Sequence, residues 1–141
     1  MPVNLEISPC SNITLLTRMY KELAEDENSD APQTDEQYQQ CMEGFLKRGD
    51  RAFVFLIGRS VIGYALVITD RKPYYLRHFY ISRTRRRKGF GRTAFYMLLE
   101  TLGTQTVDLD VFVWNEGAIG FWQSLGFEQR AHLMRLNGSS A

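Results

Sequence analysis

The chain has 141 residues and a formal net charge of +1, with 44% apolar and 23% charged residues. This ordinary globular composition excludes fibrous and disordered classes, and the length suits one domain. No stretch approaches the roughly 18 consecutive apolar residues of a membrane span, and the N-terminus lacks signal-peptide features. We therefore expect one cytoplasmic domain over residues 1–136 and a disordered tail over residues 137–141.

The charges are distributed unevenly along the chain. Residues 71–99 contain nine Lys/Arg and no Asp/Glu, whereas residues 20–50 contain nine acids and three bases. The basic stretch predicts that an anion binds near the middle of the chain. Cys10 and Cys41 lack the spacing of a disulfide framework or a zinc motif, so we expect no metal site.

The N-terminal half predicts one strand, two helices and a hairpin. Residues 5–7 alternate like a strand, and Asn12 can cap a helix with apolar residues at helical spacing. The segment 34–48 opens with a capping box and predicts a second helix. The β-rich runs 52–57 and 61–69 are separated by Gly-Arg-Ser, which predicts an antiparallel hairpin.

The C-terminal half predicts alternating strands and helices. Residues 74–81 form a strand, and helical spacing begins at Gly91. A strand over 107–113, a helix over 118–125 and a final strand over 127–136 follow. The order β-α-α-β-β-β-α-β-α-β predicts an α/β domain with a mixed sheet and helices on both faces.

One loop carries the strongest chemical signal. Arg86-x-x-Gly89-x-Gly91 follows a strand and opens a helix, so backbone N–H groups and the positive end of the helix dipole can meet a phosphate. The neighbouring basic residues suit a pyrophosphate. A nucleic-acid patch and a solvated turn are the alternatives, and a dinucleotide-binding loop would need a third glycine.

Three segments together resemble motifs of the GNAT superfamily of acetyltransferases. They are Phe79-Tyr80-Ile81, Arg86-Arg87-Lys88-Gly89-Phe90-Gly91 and Asn115-x-x-Ala118-x-x-Phe121-Trp122-x-x-x-Gly126-Phe127. The resemblance implies a mostly antiparallel mixed sheet with a splayed central strand pair. It also implies acetyl-CoA as co-substrate and direct transfer of its acetyl group, in a ternary complex, to a primary amine of a small molecule or peptide. Neither a nucleic acid nor a membrane is an expected partner, and a homodimer is compatible with the resemblance.

The same resemblance assigns residues to the cofactor. Pantetheine would lie between the strands 74–81 and 107–113, and backbone amides of residues 86–92 would bind the pyrophosphate. Phe79 N–H would be the oxyanion donor. The implied cofactor-binding residues are Phe79, Tyr80, Ile81, Arg86, Arg87, Lys88, Gly89, Phe90, Gly91, Arg92 and Asn115.

The general acid and base are not assigned by these motifs. Many relatives have Tyr where this chain has Trp122, so either the indole N–H polarises the leaving thiolate or the thiolate leaves unassisted. A catalytically silent acyl-CoA-binding or regulatory module is therefore the rival hypothesis. The acidic segment 22–36 would favour a cationic acceptor. Candidate bases are a water chain and the side chains of His78, Tyr75, Asp108, Asp110 and Glu22.

Overall fold

The structure is a computed structural model that describes residues 4–138. A single turn of 3-10 helix over Arg83–Arg85 precedes the third helix. The elements in chain order are β1 (Leu5–Pro9), α1 (Ile13–Asp26), α2 (Asp35–Lys47), β2 (Arg51–Ile57), β3 (Ser60–Ile68), β4 (Tyr74–Ile81), α3 (Phe90–Leu102), β5 (Val107–Asp108) and α4 (Glu116–Ser124).

The five strands form one mixed sheet in the order β1-β2-β3-β4-β5. The first three neighbouring pairs are antiparallel, and the β2–β3 pair is the predicted hairpin. The β4–β5 pair is parallel and contains only Tyr74↔Val107 and Tyr75↔Asp108. The register of β3 on β4 shifts between Leu66 and Val67, so β4 carries one extra residue there.

The helix starts follow the local signals in the sequence. The Asn12 side chain accepts a hydrogen bond from Leu15 N at 3.1 Å and caps α1. At α2, Thr34 and Gln37 form the predicted reciprocal capping box. Both caps satisfy backbone donors that the first helical turn leaves without partners.

The sheet is covered on both faces, which confirms the predicted α/β architecture. One face packs on α3 through Phe53, Phe55, Val67, Phe95 and Leu98. The other face packs on α1 and α2 through Leu16, Met19, Met42, Tyr64 and Leu66. Alternate residues of the strands feed the two cores, as the period of two requires.

One predicted strand is shorter than expected, and another does not form. The strand expected over 107–113 ends at Asp108, and residues 127–136 have no regular secondary structure. A strand is stable only beside a hydrogen-bonded neighbour, and the chain leaves β4 after Asp108. Leu133 and Leu136 are 93% and 95% exposed, so their alternating pattern buries nothing.

The ends of two other predictions also differ from the structure. The helix α4 begins at Glu116, two positions before the predicted start, because Asn115 caps it. Of the expected tail over 137–141, residues 139–141 lie outside the described residues. None of the helices within residues 4–138 has both the length and the apolar character needed to cross a bilayer.

Gly63→Ala is expected to destabilise the protein by about 3 kcal/mol or more, measured by urea unfolding. A Cβ on Gly63 would lie 2.0 Å from the carbonyl oxygen of Tyr80, and backbone cannot rotate away as a side chain can. Gly117→Ala in α4 is the matched control. A Cβ there meets no atom within 4 Å, so this variant should change stability by less than about 1 kcal/mol. Equal effects of the two substitutions would contradict the close approach of β3 to β4.

Candidate active site

Within residues 4–138, the outer edge of β4 has no neighbouring strand beyond Tyr75. Ser82 N donates to Ile62 O at 2.7 Å, so the peptide groups of Ser82 face β3. Because the direction of peptide groups alternates along a strand, those of Phe79 and Ile81 face the opposite edge, from which β5 has separated. Exposed ladder groups of this kind can hydrogen-bond an extended ligand.

The N-terminus of α3 lies immediately beyond this edge in the chain. Gly89 is its N-cap residue with φ +82°, and no side chain caps the helix. The N–H groups of the first turn therefore point outward together with the positive end of the helix dipole. Space around Gly89 is open, since a Cβ there would meet no atom within 4 Å. Arg87 and Lys88 are exposed beside it, and the arrangement suits a pyrophosphate.

The two glycines of the loop have different roles. A Cβ on Gly91 would lie 3.3 Å from the ring of Phe121 and 3.9 Å from the Ile81 side chain. The missing side chain at this position lets α3 pack closely against α4. Only Gly89 faces open space, whereas the sequence pattern predicts close phosphate approach at both glycines.

The Arg86 side chain packs behind the loop. Its Nε donates to the carbonyl oxygen of Ile81 at 2.8 Å, and its Nη2 donates to the carboxylate of Asp26. The Arg83 guanidinium donates to the same carboxylate at 2.5 Å. Asp26 was not singled out by the sequence, because its partners lie 57 and 60 residues further along the chain. The only available signal is the complementary charge of the two stretches.

Trp122 belongs to an aromatic cluster around Phe79. Its ring lies 5.3 Å from that of Phe79 and 5.5 Å from that of Phe95, with edge-to-face geometry. Phe121 and Phe127 complete the cluster at 4.8 Å and 5.2 Å from Trp122. Such contacts give the indole a packing role in the core that α3 and α4 share.

Asn115 and its neighbour Trp114 close one end of the site. The Asn115 Oδ1 accepts from Ala118 N at 3.3 Å, so this atom caps α4 and the amide NH2 remains for other partners. The Trp114 indole donates to the carbonyl oxygen of Glu27 at 3.0 Å. This bond ties the start of α4 to the end of α1.

His78 lies on the face of β4 opposite Phe79, as strand parity predicts. Its Nδ1 is 2.9 Å from the Tyr64 hydroxyl, and its ring stacks on Tyr20 at 4.4 Å. Burial, with a smaller contribution from the Arg77 charge, lowers the pKa of His78 to about 3. The imidazole is therefore neutral at physiological pH, and its pKa is far below that of a useful general base.

The remaining candidate bases differ in their electrostatics. Burial and the neighbouring Asp110 raise the pKa of Tyr75 to about 12, so its hydroxyl keeps its proton near pH 7. Glu22 is occupied, since it accepts a 2.9 Å hydrogen bond from the Tyr80 hydroxyl. Glu27, which the sequence did not single out, has a pKa raised by burial and by the charge of Asp26.

A cleft of about 1780 Å³ contains all of the side-chain candidate bases except Glu22. His78 and Glu27 line it from the sheet and the end of α1, and Trp122 lines it from α4. Phe79, Asn115 and residues 86–92 of the loop are not among its lining residues. The site therefore has two regions, a polar and aromatic cleft and, beside it, the loop with the free edge of β4.

Comparison with known families assigns the chain. Residues 16–127 match the model of the acetyltransferase (GNAT) family, and the chain belongs to that family. This confirms the resemblance carried by the three motifs. No curated protein sequence matches the chain significantly.

Solved structures share the fold at low sequence identity. A possible acetyltransferase from Clostridium difficile 630 aligns with TM-score 0.72 and 17% identity, covering 97% of this chain and 99% of its own. AAC(6')-Iy in complex with the bisubstrate analogue CoA-S-monomethyl-acetylneamine aligns with TM-score 0.72 and 15% identity, covering 96% and 99%. A predicted acetyltransferase with acetyl-CoA from Clostridium acetobutylicum aligns with TM-score 0.70 and 15% identity, covering 94% and 96%.

The neutral state of His78 predicts a specific dependence of stability on pH. The unfolded chain binds a proton at this residue below about pH 6.5 and the folded chain does not, so acidification favours unfolding until about pH 3. Between pH 7 and pH 5 the wild type should lose about 2 kcal/mol of unfolding free energy that His78→Gln does not lose. His132→Gln, at an exposed position, is the control and should keep the wild-type slope. Parallel pH profiles for wild type and His78→Gln in urea titrations would contradict the assignment.

Proposed function

We propose that the chain is an N-acetyltransferase that transfers the acetyl group of acetyl-CoA to a primary amine by direct attack in a ternary complex. The observation that carries the proposal is the free edge of β4, joined by the loop of residues 82–89 to the N-terminus of α3, which has no side-chain cap. One element can bond the amides of a pantetheine arm and the other its pyrophosphate. Family membership and the solved relatives described with CoA or acetyl-CoA support this reading.

The backbone supplies most of the contacts in this proposal. Phe79 N–H would donate to the thioester carbonyl oxygen and stabilise the charge that develops there during attack. Ile81 would offer its N–H to the pantetheine arm, while its carbonyl oxygen accepts from Arg86. Amides of residues 88–92 would receive the pyrophosphate, with Arg87 and Lys88 adding positive charge.

The chemical step needs a proton acceptor and a leaving group. The amine nitrogen forms a bond to the carbonyl carbon, loses a proton, and the C–S bond breaks to release the CoA thiolate. We assign Glu27 as the proton acceptor, directly or through water, because it lines the cleft and has a raised pKa. Trp122 would not protonate the departing CoA thiolate. The thiolate can leave as an anion, because a thiol of ordinary pKa gives a stable anion.

The cleft supports a cationic acceptor. Its lining has more carboxylates than arginines, and it includes the rings of Tyr20 and Trp114. The carboxylates are those of Glu27, Asp30, Glu100, Asp108, Asp110 and Glu128, and the arginines are Arg71, Arg77, Arg130 and Arg135. Carboxylates and aromatic rings both attract ammonium groups. The solved relative AAC(6')-Iy, described as an aminoglycoside N-acetyltransferase in complex with CoA, supports a polar amine of this class.

A pair of substitutions tests the pyrophosphate loop. Gly89→Glu and Gly89→Gln impose the same left-handed strain and nearly the same volume, and they differ by one negative charge. Acetyl-CoA should raise the melting temperature of the wild type, since at a hundredfold excess over Kd a ligand adds about 2.7 kcal/mol to stability. We expect Gly89→Glu to lose this shift and Gly89→Gln to keep part of it. A shift of the same size in Gly89→Glu and wild type would contradict the loop assignment.

Turnover tests the enzyme against the silent module. Release of CoA thiol should be detectable with at least one member of a panel of polyamines, aminoglycosides, amino acids and peptides. With that amine, Glu27→Gln should lower kcat by about 10²- to 10⁴-fold, the usual range for a lost general base. Glu25→Gln, an exposed acid on the same helix end, should change kcat less than about threefold. CoA binding without turnover across the panel would favour the binding module.

A further inference from the structure

The C-terminus of α1 is electrostatically unfavourable by itself. Glu25, Asp26 and Glu27 are consecutive carboxylates at the negative end of the helix dipole, and the last turn contains no basic residue. Sequences usually place cations at this position. The missing positive charge must therefore come from elsewhere in the fold.

Two arginines from the loop between β4 and α3 supply that charge. Arg83 and Arg86 each donate to a different oxygen of the Asp26 carboxylate, whose side chain is only 15% exposed. Burial raises the pKa of Asp26, and the hydrogen bonds from Arg86 and Arg83 outweigh it, so the pKa falls below its usual value. The carboxylate is ionised at neutral pH and is bound on both oxygens.

A second contact joins the same helix to the same strand end. The Tyr80 hydroxyl donates to Glu22 one turn earlier in α1, at 2.9 Å. The Arg86 guanidinium lies 5.6 Å from the centre of the Tyr80 ring. Arg86 is therefore fixed by a carboxylate, a carbonyl and an aromatic face, which leaves its guanidinium little freedom to follow a ligand.

We propose that Asp26 is a positioning residue that holds the loop of residues 83–89 in the shape that receives the cofactor's pyrophosphate. The inference rests on the proposed function, since it concerns the same acetyl-CoA site. Arg87 directly follows Arg86 and has φ +61°, a left-handed conformation that is costly for a residue with a side chain. By fixing Arg83 and Arg86, Asp26 fixes the backbone on either side of this turn and aims the amides that follow it.

Asp26→Asn tests this role with two acyl donors. CoA affinity should fall about fivefold to tenfold, because the amide keeps the shape of the carboxylate but has one acceptor oxygen, so it can accept from only one of the two guanidinium groups and carries no negative charge. S-acetylpantetheine has the same thioester and arm but no pyrophosphate, so its kcat/KM should match that of wild type. A general structural defect would lower both values together. Asp50→Asn, which removes a different buried carboxylate from an arginine pair, is the control and should leave CoA affinity unchanged.

Arg86→Lys separates positioning from simple attraction. Lysine keeps the positive charge near the phosphate but lacks the planar fork whose Nε bonds the Ile81 carbonyl while Nη2 bonds Asp26. We expect it to weaken CoA binding as much as Asp26→Asn does, with little further loss in the double variant. Wild-type CoA affinity in Asp26→Asn, or equal losses for CoA and S-acetylpantetheine, would overturn the inference. A wild type that binds no CoA would instead overturn the proposed function itself.

Discussion

The separation of β5 from β4 after two residue pairs is the constraint on which the site depends. Continued pairing would bury the peptide groups of Phe79 and Ile81 in the ladder and leave no edge for a ligand. The other edge of β4 stays paired with β3 from Tyr75 to Ile81, interrupted only by the one extra residue at the register shift. The sheet can open at this point because α3 and α4 still cover its face with an aromatic core.

The loop after β4 has backbone amides open to a ligand and a side chain, Arg86, that is held in place. The amides at the start of α3 have no capping side chain, and Gly89 keeps the space in front of them open. Behind the loop, Arg86 is bonded to the Ile81 carbonyl and to Asp26. An anion site of this kind works best when its donors are already oriented, since ordering them on binding would reduce affinity.

Packing accounts for the positions of several residues that the sequence analysis names as possible catalytic groups. Trp122 fills the space between Phe79 and Phe95, so its indole is part of the core whatever it does to the leaving group. His78 is enclosed by Tyr20, Phe45 and Tyr64 and is neutral. By contrast, the Glu27 carboxylate lines the cleft and has a raised pKa. It lies at the end of α1, where no sequence motif marks it.

The sequence by itself determined the family, the α/β class and the starts of α1 and α2, because capping residues, glycine loops and apolar spacing act within a few residues. It made the strand over 107–113 too long and predicted a strand over 127–136 that does not form, since a β pattern forms a strand only where a partner strand is within reach. It also predicted close phosphate approach at both Gly89 and Gly91. The packing of Phe121 against Gly91, which gives that glycine a different role, is a tertiary contact. The pairing of Asp26 with Arg83 and Arg86 was likewise decided by the fold, because contacts across 57 and 60 residues depend on how α1 lies against β4.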